Sequence, residues 1–463
     1  MARDVRLDWS GRTWTPGESP RPAPSARVIE HGADEARILF GDALDNAALL
    51  ASRGVRAHLV YVDPPYASQT DYVAEARLDG AADGRTRRNV AFQDRWRGRD
   101  GVGAYLDMLA PRLEALARLL RDDGTLWIHL DWRSAYLVRV VLDEVLGRER
   151  FKNEIVWRRA PNLGRQAASG QFGRTLDTLL VYGGENAVLR PPTRLEPIDD
   201  RAVRFDDDGR AFTTAPRGDY TDASIAKLEK EGRVHRTASG RVYIKYFLVE
   251  DEAGKFFRER RVDALWTDVA PLRHAAPSER TGYPTQKPRA LLDRIVRCAT
   301  PEGGLVVDLF GGSGTTAEAA VALGRRAITG DIGSVAIATS RARLLRLGVG
   351  PTIEAVGGAA LPASAARASL DWHSAGLRVI LHEPSLPMAW AVDAHGKPDA
   401  PFHPSWHAER SLGAGPARVP SYADLEAPKG PLRIRAFCDD GALAEATLDV
   451  TPAPRAARRF AVG

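Results

Sequence analysis

The chain is poor in several things. Its two cysteines, Cys298 and Cys438, form neither a disulfide framework nor a metal-ligand spacing. No apolar run approaches the ~20 residues that a membrane helix needs, and Met1-Ala-Arg-Asp opens no signal peptide. These absences argue against a disulfide-stapled secreted scaffold, a cysteine-held zinc module and a membrane-spanning helix. A reduced, cytoplasmic protein with no membrane partner is the expectation. Lysine is scarce as well: nearly all the positive charge is arginine, and the net charge is only +5. Arginine reads phosphates and guanine edges bidentately. A GC-rich genome, which also inflates alanine and glycine, is the simpler account of the bulk bias, so local clusters of arginine carry more information. What remains is ordinary for a globular chain, and 463 residues are enough for two or three domains around a large core.

One short stretch organises the rest: Leu59-Val60-Tyr61-Val62-Asp63-Pro64-Pro65-Tyr66. The β-prone residues favour a buried strand. Pro64 and Pro65 cannot donate to a ladder, so the strand must stop at Asp63. This leaves a carboxylate and an aromatic ring on a stiff loop at the carboxyl end of a strand, where open α/β sheets bind ligands. Alone, the same residues could make a rigid turn.

Residues 1–35 are rich in Pro, Arg and Ser and read as a loosely structured arm, with Trp9 and Trp14 as candidate anchors. Ala36–Phe40 reads as a strand ending at Asp42, an acid that contacts a nucleotide in some doubly wound folds and equally suits a helix N-cap. After Tyr66 come seven arginines with interspersed aromatics, among them Arg85, Arg87, Arg88, Arg95, Trp96 and Arg97. That composition suits a loop that grips phosphates and stacks bases, or a solvated loop. Helical spacing over Tyr105–Arg121 and Ser134–Leu146 alternates with strands at Thr125–Leu130, Asn153–Trp157 and Thr178–Tyr182, the pattern of a mostly parallel sheet with helices on both faces. Regularity is lost over 186–262, which reads as an insertion, either a specificity module or a structural excursion.

Order returns at Gly282-Tyr-Pro-Thr285-Gln-Lys287-Pro288, followed by a helix through Leu291 and Ile295. Gly304-Leu-Val-Val-Asp308-Leu-Phe310-Gly311-Gly312-Ser313-Gly314-Thr315 is a buried strand, a glycine turn and a helix start. The glycines allow close backbone approach to a ligand, and the helix N-terminus offers free amides. A further strand ends in Asp331, at the spacing of an acid that accepts bonds from ribose hydroxyls. Residues 263–350 thus read as a nucleoside-binding half, and 36–185, which carry the Asp63-Pro64-Pro65-Tyr66 loop, as the other half of the same domain. From 351 to 463 no motif appears, and the strand-prone Leu377–Leu381 and Leu432–Phe437 suggest a small β-rich extension.

The order of Asp-Pro-Pro-Tyr, Thr-Gln-Lys-Pro and Phe-Gly-Gly-Ser-Gly-Thr resembles that of the β class of amino-group DNA methyltransferases, including modification subunits of type III restriction systems. The resemblance covers roughly 36–185 and 263–347. It implies a doubly wound, Rossmann-like α/β sheet with circularly permuted motifs and S-adenosylmethionine as cofactor. Phe310, Gly311, Gly312, Gly314 and Thr315 would line the cofactor pocket, Asp308 would shape the turn and Asp331 would bind the ribose. Asp42 matches an acid that holds the adenine amine, and Thr285 and Lys287 match residues near the methionine end. Asp63, Pro64, Pro65 and Tyr66 form the catalytic motif, with Asp63 also at the cofactor. Double-stranded DNA is the implied substrate; a restriction subunit and a second copy of the chain are partners that the resemblance allows. No metal is implied, since the donor is a sulfonium. Three functions stay open: adenine-N6 methylation, to which Asp at 63 leans, cytosine-N4 methylation, and a non-catalytic DNA-binding subunit.

Overall fold

The computed structural model describes residues 6–17, 21–77, 86–96, 101–161, 172–187, 189–373, 376–384, 387–395, 400–410, 419–426 and 430–450. It divides the chain into two compact units, Pro191–Asp263 and the remainder. The larger unit is built on one sheet whose strands, in chain order, are β1 Ala26–Glu30, β2 Ala33–Phe40, β3 Ala57–Val62, β4 Leu120–Leu130, β5 Phe151–Arg158, β6 Leu176–Gly183, β7 Leu265–Trp266, β8 Leu305–Asp308, β9 Arg326–Asp331 and β10 Pro351–Val356. They lie in the order β1-β10-β2-β9-β8-β3-β4-β6-β5-β7.

From β10 to β4 every neighbouring pair is parallel. β6 joins β4 antiparallel, β5 joins β6 antiparallel, and β1 lies antiparallel on β10. The sheet is mostly parallel, as expected, with β7 also parallel on β5, but it is mixed towards its margins: β5 and β6, read from the sequence as members of a parallel sheet, return beside one another as an antiparallel pair. Leu59, Val60, Tyr61 and Val62 are all buried, as a continuous apolar run must be in a strand covered on both faces. Helices α1 Ala43–Ser52, α2 Gly101–Ala117 and α3 Ala135–Leu146 share one core with Val60, Val62, Leu126 and Ile128. α4 Arg289–Ala299, α5 Thr315–Ala322 and α6 Ser334–Leu345 belong to the later half.

The chain leaves β3 towards β4 and leaves β8 in the other direction, towards β9, while β3 and β8 are neighbours. That reversal opens a crevice at the carboxyl ends of the two strands. Asp63 and Asp308 stand on its two sides.

Several expectations are corrected. The arm is not loose: Ala26–Glu30 is a strand of the sheet, Trp14 is buried, and Arg12 lies between the rings of Trp9 and Trp14 (4.6 and 4.8 Å to their centroids) while pairing with Glu144 at 2.8 Å. The arginine-rich stretch after Tyr66 carries an antiparallel hairpin, Thr70–Arg77 with Thr86–Asp94, where a loop was expected. Residues 191–263 are regular too, forming a six-stranded sheet of their own with a helix at Asp222–Lys230 and buried Phe212, Ile225 and Ile244. Pro351–Val356, assigned to the extension from the sequence, is an internal strand of the main sheet. Beyond it, a five-stranded and a three-stranded sheet bury Leu377, Val379, Trp390 and Ile434 in one core.

Candidate active site

Four aspartates mark the carboxyl ends of four adjacent strands: Asp42 after β2, Asp331 on β9, Asp308 on β8 and Asp63 after β3. All four line one cavity of about 280 Å³, together with Pro64, Pro65, Tyr66, Thr285, Lys287, Phe310, Gly311, Gly312 and Thr315. The fold thus brings the proline motif, the Thr-Gln-Lys segment and the glycine turn to a single place, although more than 200 residues separate the first from the other two in sequence.

At the catalytic motif, the Tyr66 hydroxyl donates to Asp63 Oδ1 at 2.5 Å and Lys287 Nζ donates to Asp63 Oδ2 at 2.5 Å. Burial, reinforced by Asp63, pushes the Tyr66 phenol well up, so it keeps its proton and serves as a donor. Lys287 also lies 5.3 Å from the centroid of the Tyr66 ring. The loop after the motif closes on a residue that sequence reasoning did not single out. The buried Asp94 carboxylate accepts the backbone N–H groups of Tyr66, Ala67 and Ser68 at 3.1, 3.0 and 2.7 Å, and Trp96 Nε1 at 2.9 Å. Three consecutive amides turned onto one carboxylate form an anion nest, and the turn requires left-handed backbone at Ala67 (φ 57°) and Gln69 (φ 62°). No local signal marks Asp94 among its neighbours in the sequence; only the fold reveals its role.

The glycine turn is as constrained. Gly312 and Gly314 have φ of 49° and 75°, and a Cβ on Gly314 would stand 2.8 Å from Ser340 Cα. Gly314 caps α5, and Asp331 braces the turn by accepting from Gly312 N at 2.9 Å and Gly333 N at 2.7 Å. Burial raises the Asp331 carboxyl. Asp42 caps α1, accepting from Leu44 N at 2.8 Å, and pairs with Arg112. It is therefore both the N-cap and a cavity wall. Thr285 (φ 58°) is exposed at the rim, and Gln286 anchors its segment by accepting from Thr281.

Asp308 accepts from Phe310 N at 3.0 Å, yet burial pushes its carboxyl up to about 7. A carboxyl raised on folding binds its proton more tightly in the folded state. Its stabilising contribution is complete below the unfolded pKa and is lost as pH rises through the folded one. Between about pH 4 and pH 7 the protein should lose on the order of 4 kcal/mol from this group. Thermal melts of Asp308→Asn against the parent should show a smaller decline over that window; identical slopes would refute the assignment.

The DNA-contact candidates are placed unevenly. Arg85 and Arg97 lie outside the described residues, and Arg87 is on the second hairpin strand. Arg88 is exposed and pairs with Glu75 at 3.0 Å; Arg95 pairs with Asp71 at 2.7 Å. Trp96 is not a free ring but packs edge-on against Tyr105 (5.6 Å) at the cavity wall. Tyr72 and Phe92, stacked at 4.6 Å, present the hairpin's rings to the cavity instead. The hairpin is tied down by Glu75 N donating to Gly282 O at 2.9 Å. His129 is buried beneath the site, 3.0 Å from Tyr61 Oη and 3.1 Å from Asp177, as scaffold rather than cavity lining.

A DNA methylase family model matches residues 57–341, well over half of the chain, which therefore belongs to the N6/N4 amino-group DNA methylases. Relatives include the type II methyltransferase M.EcaI of Enterobacter cloacae, 26% identical over 304 residues that make up 60% of this chain and 62% of that protein. The Mod subunit of the type III restriction-modification enzyme StyLTI of Salmonella typhimurium is 26% identical over 333 residues, 62% of this chain and 49% of that subunit. The chain thus spans about half to three-fifths of the length of these relatives. Among solved structures, the M1.HpyAVI–SAM complex superposes with a TM-score of 0.38 and 15% identity, covering 67% of this chain and 98% of the other.

Proposed function

We propose that the protein is a site-specific methyltransferase acting on the N6 amine of adenine in duplex DNA, with S-adenosylmethionine as methyl donor. The carrying observation is the shared cavity: the Asp63–Tyr66 motif and the glycine turn at Gly311–Thr315 face the same space. Among the described residues that line it, five are aspartates, against Arg112 and Lys287 as cations. Such a wall fits a cationic ligand with hydroxyls and an amine to be held. Asp331 and Asp42 each keep acceptor capacity for the ribose and the adenine amine, Thr285 and Lys287 serve the methionine end, and the glycines admit the ligand next to the backbone. When bound, the cofactor supplies an electrophilic methyl group on a sulfonium.

The residues of the chain solve the other half of the problem. An exocyclic amine is a poor nucleophile because its lone pair is delocalised into the ring. Asp63 accepts one N–H of the target amine and the Pro64 carbonyl accepts the other, drawing the lone pair out of conjugation and aiming it. Tyr66 and Lys287 fix both oxygens of Asp63 while leaving each a further lone pair. Pro65 stiffens the loop, and the Tyr66 ring offers a face to a base flipped out of the duplex. The circularly permuted arrangement, with this half ahead of the cofactor half and 191–263 as the recognition unit between them, belongs to the same reading, as does a restriction subunit as partner.

The test is single-molecule sequencing of genomic DNA from a methylation-free host expressing the protein. N6-methyladenine at one short motif is the expected result. N4-methylcytosine would replace the proposed base. No modified base, from protein that still binds S-adenosylmethionine, would overturn the proposal that this chain methylates on its own.

A further inference from the structure

The Arg-Trp cluster beyond β4 is not used by this mechanism. Trp132 is 44% exposed just past the end of β4, next to the strand that carries Asp63. Arg133 lies 5.0 Å and Arg174 4.0 Å from the centroid of its ring. Tyr136 and Phe172, 74% and 100% exposed, stand close by in sequence to Trp132 and Arg174 respectively. A tryptophan engaged by two guanidinium groups serves less as a platform for a base than as a strut that holds both cations in place. Arg133 is balanced by Asp131. Among the described residues no carboxylate pairs with Arg174.

The cluster is also wired to the cavity. Arg159 donates to the Arg174 carbonyl at 3.1 Å and pairs with Asp177 at 2.8 Å, and Asp177 bonds to His129, which bonds to the cavity residue Tyr61. In the sheet, β4 lies on one side of β3, while the arginine-bearing hairpin packs on Tyr283, Val335 and Ala336 of the cofactor half on the other. Aromatic rings therefore flank Asp63 on both sides, Tyr72 and Phe92 on the hairpin and Trp132 with its two guanidinium groups beyond β4.

We propose that Arg174, propped by Trp132, is a DNA-backbone contact that grips a phosphate beside the extruded nucleotide, on the flank opposite the hairpin. This rests on the methyltransferase reading above. Each phosphate contact released lowers the salt dependence of binding in a known way: Arg174→Ala should reduce the slope of log K against log salt by about 0.9 and weaken duplex binding roughly five- to tenfold near 0.1 M salt. Arg174→Lys keeps the point charge and should restore most of both. Trp132→Ala, which removes the strut, should give a part of the same loss.

The experiment is fluorescence anisotropy of a labelled duplex across a salt series, using the full chain and its three variants, with S-adenosylmethionine affinity measured by calorimetry on each. Unchanged cofactor affinity together with the flattened slope and lysine rescue is the expected result. An Arg174→Ala slope and affinity equal to the parent's would overturn the phosphate contact while leaving the methyltransferase reading intact. A parent protein that binds no duplex at any salt would overturn both.

Discussion

Asp63→Ala should reduce methyl transfer by about 10³-fold or more while shifting the dissociation constant for S-adenosylmethionine only a few-fold. The carboxylate is the one side-chain acceptor at the centre of the motif, and both of its oxygens are already held in place by Tyr66 and Lys287. In the proposed mechanism its loss removes the group that rehybridises the target amine. The contacts proposed for the cofactor, at the glycine turn and Asp331, keep their internal bracing, because Asp331 holds Gly312 and Gly333 through bonds that do not involve Asp63. Freed from its partner, the buried Lys287 ammonium costs some stability, on the order of 1–3 kcal/mol, so the comparison should be made well below the melting temperature. Radiolabelled methyl transfer and calorimetric titration are the two readouts. Activity within tenfold of the parent would sink the proposed role of Asp63.

The second large effect is expected at Asp94, whose carboxylate is occupied by the chain's own donors. Its carboxylate satisfies four N–H donors at once, three of them consecutive backbone amides of the Tyr66 loop. Asp94→Ala strands those donors in a buried place and should destabilise the fold by about 3 kcal/mol. It also withdraws the support for left-handed backbone at Ala67 and Gln69, so that Tyr66 no longer points reliably at Asp63. Misplacement of that kind costs on the order of 10²-fold in rate. Asp94→Asn, which keeps one acceptor oxygen and the shape, should recover part of both losses. A variant with a normal melting temperature and normal turnover would show that the nest is dispensable.

These two residues also show what a sequence can and cannot disclose. Asp63 was legible because its signal is local: apolar β-prone residues, then an acid, then two prolines that force the strand to end. The glycine turn and Asp331 were legible for the same reason, each being a strand end with a chemical signature. Asp94 was not, because its meaning lies in amides 26–28 residues away, and nothing around it distinguishes it from a surface acid. The hairpin after Tyr66 was hidden by its polar composition, since strands with one wet face and many arginines lack the hydrophobic alternation that announces a sheet. The antiparallel return of β5 and β6 was equally silent, because strand direction is fixed by connections and packing rather than by the residues within the strand. Asp42 carried two readings in sequence, and the fold retains both.

The ten-stranded sheet has one further consequence, at its two margins. One margin is Leu265–Trp266, a strand of only two residues. The other is Ala26–Glu30, whose pairing slips between Val28 and Glu30, and whose outer side is met by Phe402, bridged to Glu30 and bonded to His31 N at 2.9 Å. A long, straight, uncovered margin is a template on which a foreign strand can dock and from which fibrous association begins. Here one margin is too short to template anything, and the other is bent and partly capped by the C-terminal extension. A segment that contributes none of the described cavity lining thus helps to keep a broad apolar sheet from recruiting strands of other chains.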